Sequence, residues 1–170
     1  NAIDISTLND IQQIKDTSNS VVIIQDWLTS TYQPQLVISY FQILKKLGFK
    51  PYLLKSLTNG KPLHAKGFMT AFNKCATKTL TTLNTISELG IAMVGVDPSI
   101  AITYRHEYRG VDNYKNAKVF LIQEWLSKQA LPKLKSPSTL TPTLLMHCSE
   151  QTVNATAKQA WLTVFEKLGL

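Results

Sequence analysis

Glu88-Leu89-Gly90-Ile91-Ala92-Met93-Val94-Gly95-Val96-Asp97-Pro98 contains a helix stop, a buried strand and a helix start in direct succession. Gly90 can take the left-handed conformation that closes a helix, and the apolar run Ile91 to Val96 has the length and character of a strand buried on both faces. Asp97 followed by Pro98 is a helix start, with the carboxylate as N-cap and proline in the first turn. The same Leu-Gly stop recurs as Lys46-Leu47-Gly48 and Lys167-Leu168-Gly169. Behind Gly48 comes the apolar run Pro51 to Leu54; behind Gly169 comes only Leu170. If the third stop behaves like the others, the sequence ends where a strand is expected.

Outward from these stops the chain alternates. Leu36, Val37, Tyr40, Phe41, Leu44 and Leu47 recur at helical spacing, as do Phe68, Phe72, Ala76, Leu80, Leu83 and Ile86, so each run has one buried face. Val21 to Ile24 and Thr143 to Met146 read as further short strands, with Val119 to Ile122 a weaker one before Glu124-Trp125-Leu126. Strand and helix in alternation predict an α/β fold, a parallel sheet flanked by helices. Pro132 to Pro142, rich in proline, serine and threonine, reads as a linker. The expected organisation is a tag remnant and leading helix or linker over 1–20, a first α/β half over 21–131, a linker over 132–142, and an incomplete second half over 143–170, truncated before its last strand.

The formal charge of +7 is localised: residues 27–87 contain no Asp or Glu and eight lysines. That stretch has no arginine and no helix-turn-helix, finger or RNA-motif signature, so a solvated lysine face or docking to an acidic neighbouring domain is expected, and no nucleic acid. No apolar run reaches membrane-spanning length, so no membrane span is expected. Two cysteines, Cys75 and Cys148, make no disulfide framework and no CxxC pair. Cys75 falls on the apolar side of its helix and reads as a small core residue.

In open parallel sheets ligands collect beyond the carboxyl ends of the strands, and this sequence is polar at those points. Gln25, Asp26 and Trp27 follow the first strand; Asn59, Gly60, Lys61 and His64 the second; Asp97, Ser99 and then Tyr104-Arg105-His106-Glu107-Tyr108 the third; His147, Cys148 and Glu150 the last. Asp97, Arg105, Glu107 and His147 are the candidates for a shared catalytic rim, and Cys148 is the potential metal ligand. Arg105 is expected to pair with Glu107 or Asp97, because a guanidinium near apolar helices needs a carboxylate.

At these residues the sequence resembles the bacterial FAD-linked, iron–sulfur D-2-hydroxyacid dehydrogenases, in their C-terminal cysteine-rich domain of the CCG type. The resemblance is carried in order by Val21 to Asp26, Leu47-Gly48-Phe49, the Asn59-Gly60-Lys61 to Gly67-Phe68 segment, Val94 to Pro98, Tyr104 to Tyr108, Glu124-Trp125-Leu126 and His147-Cys148-Ser149-Glu150. It implies two related Rossmann-like halves. It also implies oxidation of a D-2-hydroxyacid of the lactate or 2-hydroxyglutarate class, with FAD and 4Fe-4S clusters in the full-length enzyme and neither in this chain alone. The partners it implies are the FAD-binding and ferredoxin-like domains of the same polypeptide, with the electron acceptor left open. In that pattern each half offers an early Cys and a later Cys-Cys-Gly. Here Asp26-Trp27 stands near the early cysteine of the first half and Asn59-Gly60-Lys61 near its Cys-Cys-Gly. The second half keeps Cys148, incomplete without a downstream Cys-Cys-Gly. A cytoplasmic protein is expected, with a place at the periphery of the inner membrane left open for the full-length enzyme.

Two other readings compete with an electron-relay or site-completing domain. One is a structural docking domain with a vestigial cysteine. The other is an independent hydrolase or transferase using Asp97, Arg105 and His106, which has no GxSxG elbow, GxGxxG turn or P-loop in its favour.

Overall fold

A computed structural model describes residues 3–115, 118–134, 143–153 and 155–170. Among these residues five strands form one all-parallel sheet in the order β1-β3-β2-β4-β5. The strands are β1 (Ile5–Ser6), β2 (Ser20–Ile24), β3 (Lys50–Leu54), β4 (Ala92–Gly95) and β5 (Val119–Leu121). Between and after them run α1 (Leu8–Gln12), α2 (Trp27–Tyr32), α3 (Pro34–Lys46), α4 (Lys61–Ala65), α5 (Met69–Glu88), α6 (Pro98–Arg105), α7 (Ile122–Leu126), α8 (Cys148–Val153) and α9 (Ala157–Leu168). A 3-10 turn, Glu107–Gly110, follows α6.

Side chains alternate across a strand, so β2 feeds two cores at once. Val22 and Ile24 join Phe72, Leu80 and Leu83 of α5 and Tyr104 of α6 on one face. Val21 and Ile23 join Val37 and Leu44 of α3, Trp125 of α7, and Val164 and Leu168 of α9 on the other. Because both faces are covered, the strand reads as an unbroken apolar run, and all five of its residues are buried. Gly48 and Gly90 close α3 and α5 at φ values of 92° and 72°, a region that other residues rarely enter. At the end of β4 the packing is tighter still. A methyl on Gly95 would sit 2.8 Å from the Ala101 Cβ, so a side chain there would hold α6 away from the sheet.

The residues ahead of β2 are part of this architecture. Within the leading helix or linker expected over 1–20, Ile5 and Ser6 pair with Leu53 and Leu54 of β3, and α1 places Ile11 in the core. A capping box between Thr7 and Asp10 starts α1. The strand expected at Thr143 to Met146 does not form. Leu145 is 90% exposed, and among the described residues β5 is the edge of the sheet, so this run lacks the ladder partner that a strand requires. The helix beyond it, α9, packs on α7 and the same sheet. Most of the expected linker, residues 135–142, lies outside the described residues.

Candidate functional site

The chain passes from β2 to β3 on one side of the sheet, then returns past β2 to lay β4 on its other side. The order of strands therefore reverses between β2 and β4, and the crevice beyond their carboxyl ends is where such sheets take ligands. Asp26 and Asp97 flank it. Each is the N-cap of the helix leaving its strand: Asp26 Oδ1 accepts from the Thr29 amide at 2.9 Å, and Asp97 Oδ1 from the Ile100 amide at 3.0 Å. Ser99 Oγ also donates to Asp97 Oδ1, at 2.6 Å. The cap reading of Asp97-Pro98 thus holds, and caps of this kind contribute about 1 kcal/mol.

From the β3 side comes the Asn59-Gly60-Lys61 loop. Gly60 has φ 71°, and an added Cβ would meet Phe72 at 3.1 Å and the Cys75 Sγ at 3.3 Å, so the loop is pressed onto α5. Asn59 Oδ1 accepts from the Lys61 amide, which opens α4. The Lys61 ammonium then reaches across to α6, donating to Thr103 Oγ1 at 2.9 Å and the Ser99 carbonyl at 3.3 Å. It also pairs with Glu107 Oε1 at 3.5 Å. Tyr108 donates its hydroxyl to the Asn59 carbonyl at 2.7 Å, so the 3-10 turn after α6 is tied to the same loop. Burial dominates the elevation of the Tyr104 and Tyr108 phenols well above their ordinary range, so both are neutral.

Arg105 corrects the expected pairing. Its guanidinium donates to Glu124 Oε2 at 2.6 Å, and the same oxygen accepts the Leu121 amide at 2.8 Å. Neither Glu107 nor Asp97 is its partner, because residues two apart on a helical segment do not face each other and Asp97 is occupied by its own cap. Glu107 turns instead to Lys61 and Thr103. Arg105 is thereby held at the end of β5, and Glu107 at the loop after β3.

His147 and Cys148 reach this side of the molecule through α8, which packs on α6, rather than by following a strand. The buried Glu150 anchors them: it accepts from the His147 amide at 2.9 Å and from the Gln123 side chain at the start of α7. Tyr40 of α3 reports on the same neighbourhood. Its phenol is pushed up to about 12 by burial first, and then by the carboxylates of Glu150 and Asp97. The Cys148 Sγ is exposed and lies 3.9 Å from Nδ1 of His147. Cys75 is not the small core residue expected; it is part-buried, donates to the Thr58 carbonyl at 3.1 Å, and burial pushes its thiol up.

Iron–sulfur clusters of the kind the resemblance implies take four thiolate ligands. Among the described residues no group of three or more His, Cys, Asp or Glu is arranged to hold a metal ion. Nor is any described helix long and apolar enough to cross a membrane.

Around the crevice the structure gathers Asp26, Lys61, Asp97 and, through Lys61, Glu107. Arg105 with Glu124, and His147 with Cys148 and Glu150, form two adjacent groups. Asp26 and Lys61 were legible as polar residues behind strands, but only the order of strands makes Asp26 the neighbour of Asp97.

No protein-family model matches the chain, and no solved structure does. The chain is 35% identical over 152 residues to D-2-hydroxyglutarate dehydrogenase of Pseudomonas putida, an alignment covering 89% of the chain and 15% of that enzyme. To the enzymes of the same name from Escherichia coli and Haemophilus influenzae it is 34% and 35% identical, covering 96% and 91% of the chain and 16% of each relative. Over nearly its whole length, the chain is similar to one segment of D-2-hydroxyglutarate dehydrogenases, and it spans 15–16% of the length of these relatives.

Proposed function

We propose that this chain is the C-terminal, CCG-type domain of a FAD- and iron–sulfur-dependent dehydrogenase that oxidises a D-2-hydroxyacid, of which D-2-hydroxyglutarate is the leading candidate. The observation that carries this reading is the similarity along nearly the whole chain to enzymes of that name. In the reading, FAD lies on another domain of the same polypeptide, and this domain relays electrons or completes the site from its sheet edge. Cys148, exposed at the start of α8, is the ligand that residues outside this chain would complete. When bound, a cluster supplies one-electron transfer. The residues here supply position: Glu150 fixes the turn carrying His147 and Cys148, and Glu124 fixes Arg105. Asp97 caps α6, and Glu107 pairs with Lys61 to tie the loop after β3 to the same rim.

A second reading, a docking domain with a vestigial cysteine, is favoured by one observation. The acid-free stretch 27–87 carries eight lysines and exposes Trp27, Tyr32 and Phe68. Replacing Cys148 by Ser in the polypeptide that joins this chain to its FAD-binding and ferredoxin-like domains separates the two. The relay reading expects loss of D-2-hydroxyglutarate-driven reduction of the electron acceptor with flavin content unchanged. Wild-type electron transfer with unchanged metal content would leave the docking reading standing.

A further inference from the structure

The crevice does not end at the β3 loop. One cavity, of about 660 Å³, is walled by Trp27 and Leu28 of α2, Leu63 and Ala65 of α4, and Ile100 of α6. A second, of about 450 Å³, lies between the β3 loop and α5, against Ala71, Lys74 and Lys78. Leu57 and Thr58 belong to both walls, so the two join as one groove over that loop. Its ends differ in chemistry. At the first, Trp27 and Leu28 are 65% and 57% exposed. Every residue from Ala65 in the first wall to Ala71 in the second is exposed, and this stretch includes Phe68 at 59% and Met69 at 45%. Large apolar side chains gathered in this way at a surface mark an interaction site. At the second end Lys74 and Lys78 stand one turn apart on α5, with Lys66 in the exposed stretch that leads to them. Lys50 and Lys61 are ion-paired with Asp16 and Glu107, but Lys66, Lys74 and Lys78 have no such partner among the described residues. The wall's two carboxylates, Asp26 and Asp97, are helix caps in the first cavity, so the second end is positive throughout.

We propose that this groove is the docking site of an acidic, amphipathic segment of the same polypeptide. The segment seats an apolar side chain against Trp27 and Leu28 and directs its carboxylates to Lys66, Lys74 and Lys78. The inference rests on the reading that the chain is one domain of a larger polypeptide, since it spans only 15–16% of the length of its relatives. Ala71 to Lys78 covers about 10 Å of α5, the reach of about three extended residues, so a short linear segment is enough. Exposed ion pairs are individually weak, and a tether within one polypeptide compensates by holding the segment at about millimolar effective concentration.

The test is hydroxyl-radical footprinting, read by mass spectrometry, of the polypeptide that joins this chain to its FAD-binding and ferredoxin-like domains. The wild type is compared with two variants at exposed positions: Leu28→Glu, and Lys66→Glu combined with Lys74→Glu and Lys78→Glu. Trp27, Phe68 and Met69 should be modified slowly in the wild type and at least about tenfold faster in each variant, as docking loses its apolar anchor or its three ion pairs. Tyr104, fully buried, should stay unreactive in all three proteins, which shows that the variants fold. The proposal is overturned if either variant leaves the three reporters at their wild-type rates, whether fast, with the groove open, or slow, with an occupant that these contacts do not hold. Flavin content and D-2-hydroxyglutarate oxidation by the same samples separate this failure from that of the proposed function. An active flavoprotein with equal rates loses only the docking segment; protected reporters in a polypeptide with neither flavin nor activity lose only the dehydrogenase reading.

Discussion

Replacing Gly95 by alanine places a methyl group where β4 and α6 meet. The added Cβ would stand 2.8 Å from the Ala101 Cβ and 3.3 Å from Val119 Cγ1, where ordinary contact begins at 3.4 Å. The difference of 3.4 and 2.8 Å requires α6 to withdraw by about 0.6 Å, and neither obstacle is a flexible side-chain end that could turn aside. Overpacking of this kind costs about 1–3 kcal/mol. For a chain of 170 residues each kcal/mol lowers the melting temperature by about 2–4 °C, so a fall of about 2–12 °C is expected. Ala101→Gly removes the obstructing methyl, and although glycine inside a helix costs about 1 kcal/mol by itself, it should cost less in the Gly95→Ala background. Urea denaturation of the wild type, both single variants and the double variant measures the coupling, expected to be at least about 1 kcal/mol in the favourable direction. A Gly95→Ala protein within about 0.5 kcal/mol of wild type, or strictly additive variants, would refute the argument that glycine is needed there for close approach.

Two further outcomes follow from the rim. Tyr40, held neutral by burial and by the carboxylates of Glu150 and Asp97, should ionise near pH 12, whereas an exposed phenol does so near about 10. Between these values the unfolded chain loses a proton that the folded chain keeps, so stability present below about pH 10 should fall by about 1.4 kcal/mol per pH unit until Tyr40 itself ionises. Ultraviolet titration of the wild type against Tyr40→Phe isolates the group, and an unchanged high-pH limb in the variant would contradict it. The purified chain alone should take up neither flavin nor a stoichiometric cluster on anaerobic reconstitution; visible absorption with about four irons per chain would show that it completes a site by itself.

Much of the fold was legible in local pattern. The cores of β2, β3, β4 and β5 appear in the sequence as short apolar runs, because strands covered on both faces have no solvent side to mark with polar residues. The faces of α3 and α5, the Leu-Gly stops and the Asp97-Pro98 start were equally plain, since helix periodicity and capping involve residues within a few positions of each other. The same reasoning failed at Leu144 and Leu145, where apolar character alone suggested a strand and no ladder partner exists among the described residues.

What the sequence by itself determined was therefore the alternation of buried strand and amphipathic helix, and the polar residues that end each strand. Only the tertiary structure decided which of those ends are neighbours. A parallel crossover can lay its second strand on either side of the first, and nothing local to β3 or β4 records that they flank β2 on opposite sides. That choice brings Asp26 beside Asp97 and creates the crevice between them. Likewise Arg105 finds Glu124 across the fold rather than Glu107 two residues away. Periodicity encodes that a side chain is buried or capped; the partner that satisfies it is set by packing between segments distant in the chain.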